Sequence, residues 1–168
     1  MNDDTTSETD AYPSHFETEE PSGNATTANG PAASELRPLT ERHVKAIEMR
    51  GLDPELLATL GVGASDRLRG DCIGIPYFDG DARVATKYRT LTGEKRFTQD
   101  AGGRQILWNL NCLRDASLAN YPVIITEGEL DAFAALQAGF PRTVSVPGGA
   151  PSESIKDGDG GKKYAFLE

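Results

Sequence analysis

The chain has 168 residues, of which 38% are hydrophobic, and carries a formal net charge of −9 at pH 7, which allows one ordinary domain or a domain and a half. Residues 1–35 hold eight acidic side chains and no Lys or Arg, and the rest of the chain carries 18 acidic and 17 basic groups. The acidity therefore says little about the partner of the folded part, and the lack of any apolar run near the roughly 20 residues that cross a bilayer argues against a membrane protein.

The first segment, residues 1–36, is rich in Thr, Ser, Asn, Gly, Glu and Pro and has few large apolar side chains. It cannot bury enough apolar surface to offset the entropy of ordering, so we expect an acidic, disordered tail. It also lacks the basic and apolar regions of a secretory signal. Cys72 and Cys112 have no Cys or His partner at metal-ligand spacing, so we expect no zinc. We expect free, buried thiols, with a disulfide between the two as the alternative. These features predict a cytoplasmic protein with no membrane partner.

Order is expected to begin near Leu39 with a small helical hairpin. Thr40 suits the N-cap of the first helix. The second helix has Asp53 as its N-cap and Pro54 at its first position, where proline is favoured. The apolar positions that predict the buried face of the first helix are Val44, Ile47 and Met49.

The stretch "CIGIPYFDGDARVATKYRTL", residues 72–91, predicts two strands around an Asp-Gly-Asp turn. Its second arm carries Arg83, Lys87 and Arg89 at even spacing, and a period of two puts all three cations on one face. A turn at Gly93 then leads to further cations at Lys95 and Arg96.

Residues 121–150 predict a strand, a helix and a second strand, which is a βαβ unit. The run "YPVIITEG" is typical of a buried parallel strand, and the apolar residues of "ELDAFAALQAG" predict a well-covered helix. The run "TVSVPGGA" predicts the second strand and a glycine loop. A single βαβ unit is not a stable sheet, and another helix is predicted to start near Lys162, so we expect the chain to be truncated.

Three carboxylates lie at the junction between the first strand and the helix of this unit. Glu127 ends the strand, where α/β sheets bind ligands. Glu129 and Asp131 fall in the first helical turn, where acidic residues also complement the helix dipole. Carboxylates that converge repel one another unless a cation lies among them, and Mg²⁺ prefers oxygen ligands. The pattern therefore indicates a Mg²⁺ site with Glu127 and Asp131 as candidate ligands. The helix dipole is the preferred explanation for Glu129 and the alternative one for Asp131.

The stretch "VIITEGELDAFAALQAGFPRTVSVPGGA" resembles the first half of the TOPRIM domain shared by primases and topoisomerases. Three upstream blocks, "RGLDPELLATLGVGAS", "IGIPYFDGDARVATKYRTL" and "KRFTQDAGGRQILWNL", are similar to bacterial and phage-type primases and extend the resemblance over residues 40–168. It implies an α/β chain with an α+β N-terminal part. A helical hairpin and a small mixed β region would occupy residues 37–120 as an RNA-polymerase-type subdomain, and the first half of a Rossmann-like TOPRIM fold would occupy residues 121–168.

The resemblance also implies roles for particular side chains. Glu127 matches the catalytic glutamate of the family, a metal ligand or general acid–base group, and Asp131 matches an acidic residue that joins the metal. Cations that would bind template and nucleotide phosphates are Arg89, Lys95, Arg104 and Lys87. The implied reaction is the attack of a 3′-hydroxyl on an α-phosphate, with Mg²⁺ or Mn²⁺ as cofactor, single-stranded DNA as template and ribonucleoside triphosphates as substrates.

Two features of the family are missing. Its second metal motif, Asp-x-Asp after a later strand, has only Asp157-Gly158-Asp159 as a counterpart, in a glycine-rich loop, and its N-terminal zinc module is replaced by the acidic tail. We expect the TOPRIM part of a phage-type DNA primase or primase-helicase, with a helicase domain or subunit as partner. The alternatives are a non-catalytic DNA-binding front end of a replicative helicase, and a TOPRIM nuclease or topoisomerase-type enzyme.

Overall fold

The helical hairpin forms where the sequence predicts it. The computed structural model describes residues 35–148. Helix α1 spans Glu41–Glu48 behind Thr40, and helix α2 spans Pro54–Thr59 behind Asp53. The Asp53 carboxylate accepts a hydrogen bond of 2.9 Å from a backbone N–H of the first turn. It thereby satisfies one of the donors that every helix leaves without an internal partner.

The buried face of α1 differs from the prediction at one residue. Met49, which the sequence places on that face, is 79% exposed. Because α1 ends at Glu48, Met49 occupies the C-cap position and leaves the row that packs on the core. The residues of α1 that are buried are His43, Ala46 and Ile47.

Packing begins before Leu39, the residue where order was expected to start. The backbone of Arg37 pairs with that of Ala64, and the side chain of Leu36 lies against Gly74. A Cβ atom added to Gly74 would be 2.2 Å from Leu36 Cδ2, which is closer than two non-bonded carbon atoms can approach. A glycine at residue 74 therefore makes room for this first apolar contact.

The β region is a four-stranded antiparallel sheet within the described residues. The strands lie in the order β1-β2-β3-β4, and β2 and β3 join at the predicted turn. Short connections favour antiparallel neighbours because the chain simply folds back on itself. The strands span Gly63–Ala64 (β1), Cys72–Asp79 (β2), Ala82–Thr90 (β3) and Phe97–Gln99 (β4).

A β-bulge in this hairpin changes which cations share a face. The register between β2 and β3 shifts just after Tyr77, so Val84 has no partner across the ladder. An extra residue in one strand reverses the inward and outward alternation on its far side. The prediction that three cations share one face is therefore wrong for Arg83, which lies on the opposite face. The cations left on the face of Tyr77 are Lys87 and Arg89.

The predicted βαβ unit is confirmed. Strand β5 spans Ile124–Thr126, helix α3 spans Glu129–Gln137 and strand β6 spans Thr143–Ser145, with β5 and β6 parallel. Just before this unit the chain forms two 3₁₀ turns, Leu110–Leu113 and Ala116–Leu118.

The burial predicted for this unit is wrong in two places. Strand β5 is only half-covered, with Ile125 67% exposed and Val123 also exposed. Helix α3 buries one face instead of most of its surface, through Glu129, Ala132 and Phe133. Both departures have one cause: among the described residues, β5 and β6 form a two-stranded sheet that α3 covers on one side only.

Trp108 joins the antiparallel sheet to the βαβ unit. Its indole N–H donates to the Pro76 carbonyl on β2 at 3.2 Å, and its backbone pairs with Ser145 on β6. Its ring meets Phe133 of α3 edge-on, with ring centroids 4.9 Å apart. Such edge-to-face pairs stabilise a core beyond the area they bury. The two parts thus share one hydrophobic core.

Both cysteines are free and buried, as predicted. Burial raises the pKa of the Cys72 thiol, and it raises that of Cys112 to about 11. Because only the thiolate reacts, alkylation of Cys112 by iodoacetamide at pH 8 should be about 100-fold slower in the folded protein than in urea. Mass spectrometry of timed samples would measure this, and equal rates in both conditions would contradict the burial.

No helix within residues 35–148 is long and apolar enough to cross a membrane. Other sequence predictions lie outside the described residues: the disorder of residues 1–34, the Asp157 and Asp159 pair, and the helix near Lys162.

Candidate active site

A cleft of about 160 Å³ opens where the carboxyl end of β5 faces β3 and β4. Its walls bring together side chains that are far apart in sequence, from β3, from the β3–β4 turn, from the β5–α3 junction and from the loop after β6. Four of its lining residues are cations and two are carboxylates. The lining residues are Lys87, Arg89, Lys95, Arg96, Phe97, Glu127, Gly128, Glu129, Pro147 and Gly148.

Glu127 lies at the end of β5 and lines this cleft, the position that the sequence predicts for it. It is exposed, and within the described residues its carboxylate accepts no hydrogen bond. The turn that follows is held by Thr126, whose hydroxyl donates to the Gly128 carbonyl at 3.0 Å. Glu127 is thus an uncommitted carboxylate at the edge of the cleft.

Glu129 is the buried charge of the site, although its sequence position alone suggested a helix-dipole role. It is 1% exposed. One carboxylate oxygen accepts both the Tyr77 hydroxyl at 2.5 Å and the Lys87 ammonium at 2.6 Å. Lys87 donates a second hydrogen bond of 3.1 Å to the Pro147 carbonyl. Glu129 therefore ties β2, β3 and the loop after β6 to the start of α3.

Tyr77 serves this cluster as a neutral donor. Burial raises the pKa of its hydroxyl, and the Glu129 carboxylate raises it further. The phenol therefore stays protonated at neutral pH and keeps donating to Glu129. The charge of Glu129 must then be balanced by Lys87, with which it forms a salt bridge shielded from solvent.

The remaining cations of the cleft differ in how far their charge is balanced. The Arg96 guanidinium pairs with Glu94 at 2.5 Å. Within the described residues, neither Arg89 nor Lys95 forms an ion pair. The buried Nε of Arg89 has no hydrogen-bond partner there, which is unusual for a buried donor. Lys87 and Glu129 balance each other, so among the described residues two cations of the cleft, Arg89 and Lys95, have no carboxylate partner.

The pKa of Arg89 reflects its burial and the cations and carboxylates around it. Burial lowers the pKa of its guanidinium, and the charge of Arg50 lowers it further, while Glu129 and Asp131 partly offset the effect. A half-buried guanidinium without a carboxylate partner gains most from an incoming anion, because the anion supplies the missing hydrogen bonds and the missing countercharge.

Two of the predicted site residues lie apart from the cleft lining. Asp131 is exposed on the first turn of α3, and its Oδ2 is 3.0 Å from the position that a Cβ on Gly128 would take. The absence of a side chain at Gly128 therefore leaves room for this carboxylate beside the turn. Arg104 instead bonds to Asp79 at 2.8 Å near the hairpin turn, where Arg114 holds the other oxygen of the same carboxylate.

These cations shape the environment of Asp79. Hydrogen bonds from Arg114 and Arg104 lower the pKa of its carboxyl. Arg104 is thereby committed to the hairpin turn in this structure. Its predicted contact with phosphates stays a prediction.

The metal prediction meets a limited donor set. Within residues 35–148, no group of three or more His, Cys, Asp and Glu side chains is arranged to hold a metal ion. Glu127 offers free carboxylate oxygens and Asp131 lies one helical turn on, which fits the oxygen preference of Mg²⁺. Glu129 is taken by Lys87 and Tyr77. The candidate oxygen donors among the described residues are thus Glu127 in the cleft and Asp131 outside its lining.

The order of the elements is the one that the sequence resemblance implies: a helical hairpin, an antiparallel sheet and a βαβ unit whose first strand is followed by Glu-Gly. Comparison with solved structures agrees: the chain matches the DnaG catalytic core with a TM-score of 0.54 over 67% of this chain and 49% of that one, at 18% sequence identity. The shared feature is the fold.

Sequence comparison leads to named relatives. The chain is 41% identical over 99 residues to the Twinkle homolog protein, chloroplastic/mitochondrial, of Arabidopsis thaliana, which covers 56% of this chain and 13% of that protein. It is 42% identical over 79 residues to the primase homolog protein of the same plant, covering 47% and 22%. No family model matches. The chain spans less than a quarter of either relative, and the resemblance to TOPRIM-type primases is confirmed.

Several site residues were missed by sequence reasoning. Tyr77 and Phe97 had no assigned role, and Glu129 was given a dipole role. The sequence did contain a signal for Tyr77. Ile73, Ile75 and Tyr77 alternate along β2 and therefore share one face of the sheet, and Lys87 and Arg89 lie opposite two of them in the hairpin. A cation on a core-facing position requires a buried countercharge, and the carboxylates after β5 were candidates for it.

Proposed function

We propose that this chain forms the primase part of a replication protein that synthesises RNA primers on single-stranded DNA. The names of its relatives and the shared fold support a primase-type core. The observation that carries the proposal is the cleft itself, which the Glu127 carboxylate lines together with Arg89 and Lys95. Neither cation forms an ion pair within the described residues. A site that joins nucleotides needs a carboxylate as well as cations, because it must hold phosphates and act on a hydroxyl.

In this proposal each side chain has a separate task. Arg89 and Lys95 bind phosphate oxygens of the template strand or of the incoming ribonucleoside triphosphate. Glu127 lies beside the hydroxyl that attacks the α-phosphate, and takes part either as a metal ligand or as the group that accepts the proton. The new phosphodiester bond forms as the bond to pyrophosphate breaks.

We propose Mg²⁺ as the cofactor, held by Glu127 with help from Asp131, with Mn²⁺ as a substitute. When bound, the ion would stabilise charge on the attacking and leaving oxygens. Two carboxylates are a small ligand set, which suits Mg²⁺ because it is commonly held by one or two carboxylates together with substrate phosphates and water. A helicase domain or subunit is the proposed protein partner.

Single-strand binding tests the phosphate assignment. Arg89→Met, which keeps the apolar stem, and Lys95→Ala should each weaken binding of a 12-nucleotide single strand to a similar degree for any sequence, because phosphate contacts carry no base information. Each should also make the plot of log affinity against log salt shallower by about 0.7, the value for one lost single-strand phosphate contact. Fluorescence anisotropy measured at salt concentrations of about 50 to 200 mM gives both the affinity and the slope.

Lys45→Ala is the matched control. Lys45 is an exposed cation on α1 that does not line the cleft, so its removal changes the net charge equally without removing a proposed contact. The slope should then stay at the wild-type value. Equal slopes for all three variants would mean that Arg89 and Lys95 are merely solvated, and the proposed cleft would lose its support.

A further inference from the structure

Phe97 is a large apolar side chain that the fold holds open to solvent. It is 66% exposed although its strand, β4, is paired with β3. Single exposed apolar residues are ordinary on protein surfaces, so exposure alone indicates nothing. The surroundings of this ring are what distinguish it.

Cations flank Phe97 on its own strand and on the next. It lies directly opposite Arg89 in the β3–β4 ladder, and residues paired in this way share a face of the sheet at close range. The Lys87 ammonium is 6.0 Å from the ring centroid. Lys95 and Arg96 precede it in the chain, and all of these residues line the same cleft.

This environment fits a nucleic acid better than a protein. An apolar docking surface needs a contiguous apolar patch, whereas Phe97 is the only aromatic residue among the described residues that line the cleft. Sites for single-stranded nucleic acid combine a cationic groove with aromatic rings on which bases stack. An exposed ring beside an unpaired guanidinium reproduces that combination within one cross-strand pair.

We propose that Phe97 stacks on a nucleobase of a single strand whose phosphates lie on Arg89 and Lys95. The inference rests on the proposed function, because it uses the same cleft, and it adds a base contact to the phosphate contacts. Among the described residues the ring lies on the edge strand of the sheet and is 66% exposed, so a base can approach it. Stacking on a phenyl ring tolerates any base, so binding would be tighter without becoming sequence-specific.

The test compares a strand with bases and a strand without them. Fluorescence anisotropy would be measured on the 168-residue chain with 12-nucleotide oligothymidylate and with an abasic strand of equal length and charge. Phe97→Ala should bind oligothymidylate about tenfold more weakly and the abasic strand as wild type does. Its salt slope should not change, since no phosphate contact is lost. Phe97→Trp should bind oligothymidylate at least as tightly as wild type.

Phe97→Leu is the decisive control, because leucine keeps an apolar side chain and lacks the flat ring. It should lose affinity as Phe97→Ala does, and an unchanged thermal unfolding midpoint would confirm that both variants are folded. Wild-type affinity in Phe97→Leu, or an equal loss on both strands in Phe97→Ala, would overturn the stacking. If Phe97→Ala bound oligothymidylate as wild type does and only lost affinity for ATP, the ring would contact the nucleotide and not the strand. If wild type binds both strands with the usual salt dependence, only this inference is at stake; if it binds neither, the proposed function fails as well.

Discussion

Glu127→Gln in the complete protein should reduce primer synthesis at least about 100-fold, because a metal ligand or proton acceptor contributes several kcal/mol to the transition state. The amide keeps the shape of the side chain and removes its charge. The fold should be unaffected, since Glu127 is exposed and its carboxylate accepts no hydrogen bond within the described residues. Incorporation of labelled ribonucleotides on a single-stranded template measures the rate.

Two further variants separate catalysis from general charge effects. Glu48→Gln removes an exposed carboxylate of α1, away from the cleft lining, and should prime at the wild-type rate. Asp131→Asn should reduce the rate less than Glu127→Gln does, because Asp131 lies outside the cleft lining. Binding of single strands should persist in Glu127→Gln, which loses a negative charge from a cationic cleft. Full activity in Glu127→Gln would remove the catalytic assignment of Glu127, whereas a wild-type protein that makes no primers would favour the non-catalytic front end of a helicase.

Local signals in the sequence carried much of the fold. Thr40, Asp53 and Pro54 mark helix starts because caps and proline act within a single turn. The position of Glu127 at a strand end follows from a short β-branched run that stops at Gly128. Each of these features depends on residues only a few positions apart, and such features can be recognised without any knowledge of tertiary structure.

The features that sequence reasoning missed depend on distant contacts or on a single irregularity. One bulged residue at Val84 moves Arg83 to the other face of the sheet. The periodicity of the sequence does not predict this bulge. The exposure of Ile125 depends on what covers the sheet, which the strand itself does not encode. The pairing of Glu129 with Tyr77 links residues 52 positions apart. A helix-start carboxylate looks the same in sequence whether it is exposed or enclosed.

Lys87→Met is expected to destabilise the protein most. Methionine retains the apolar stem of Lys87 and removes the ammonium that balances Glu129, a residue only 1% exposed. Breaking a buried ion pair by removing one partner costs about 3–5 kcal/mol, because the other charge is left without compensation. Tyr77 cannot supply the missing charge, since its hydroxyl stays neutral. For a domain of roughly 100 residues, the melting temperature should fall on the order of 15 °C.

A double-mutant cycle in urea at pH 7 isolates this pair. Combining Lys87→Met with Glu129→Gln removes both charges, keeps a hydrogen-bond acceptor for Tyr77, and should recover most of the stability lost in Lys87→Met alone, since buried ion pairs are often replaceable by neutral groups. Lys45→Met, on an exposed position of α1, should change the free energy of unfolding by less than about 0.5 kcal/mol. Simple additivity of the two single losses would mean that Lys87 and Glu129 do not stabilise each other. Lys87 would then be free to bind phosphate. Recovery of stability in the double variant would instead show that Lys87 positions Glu129, and with it α3 and the loop after β6, around the cleft.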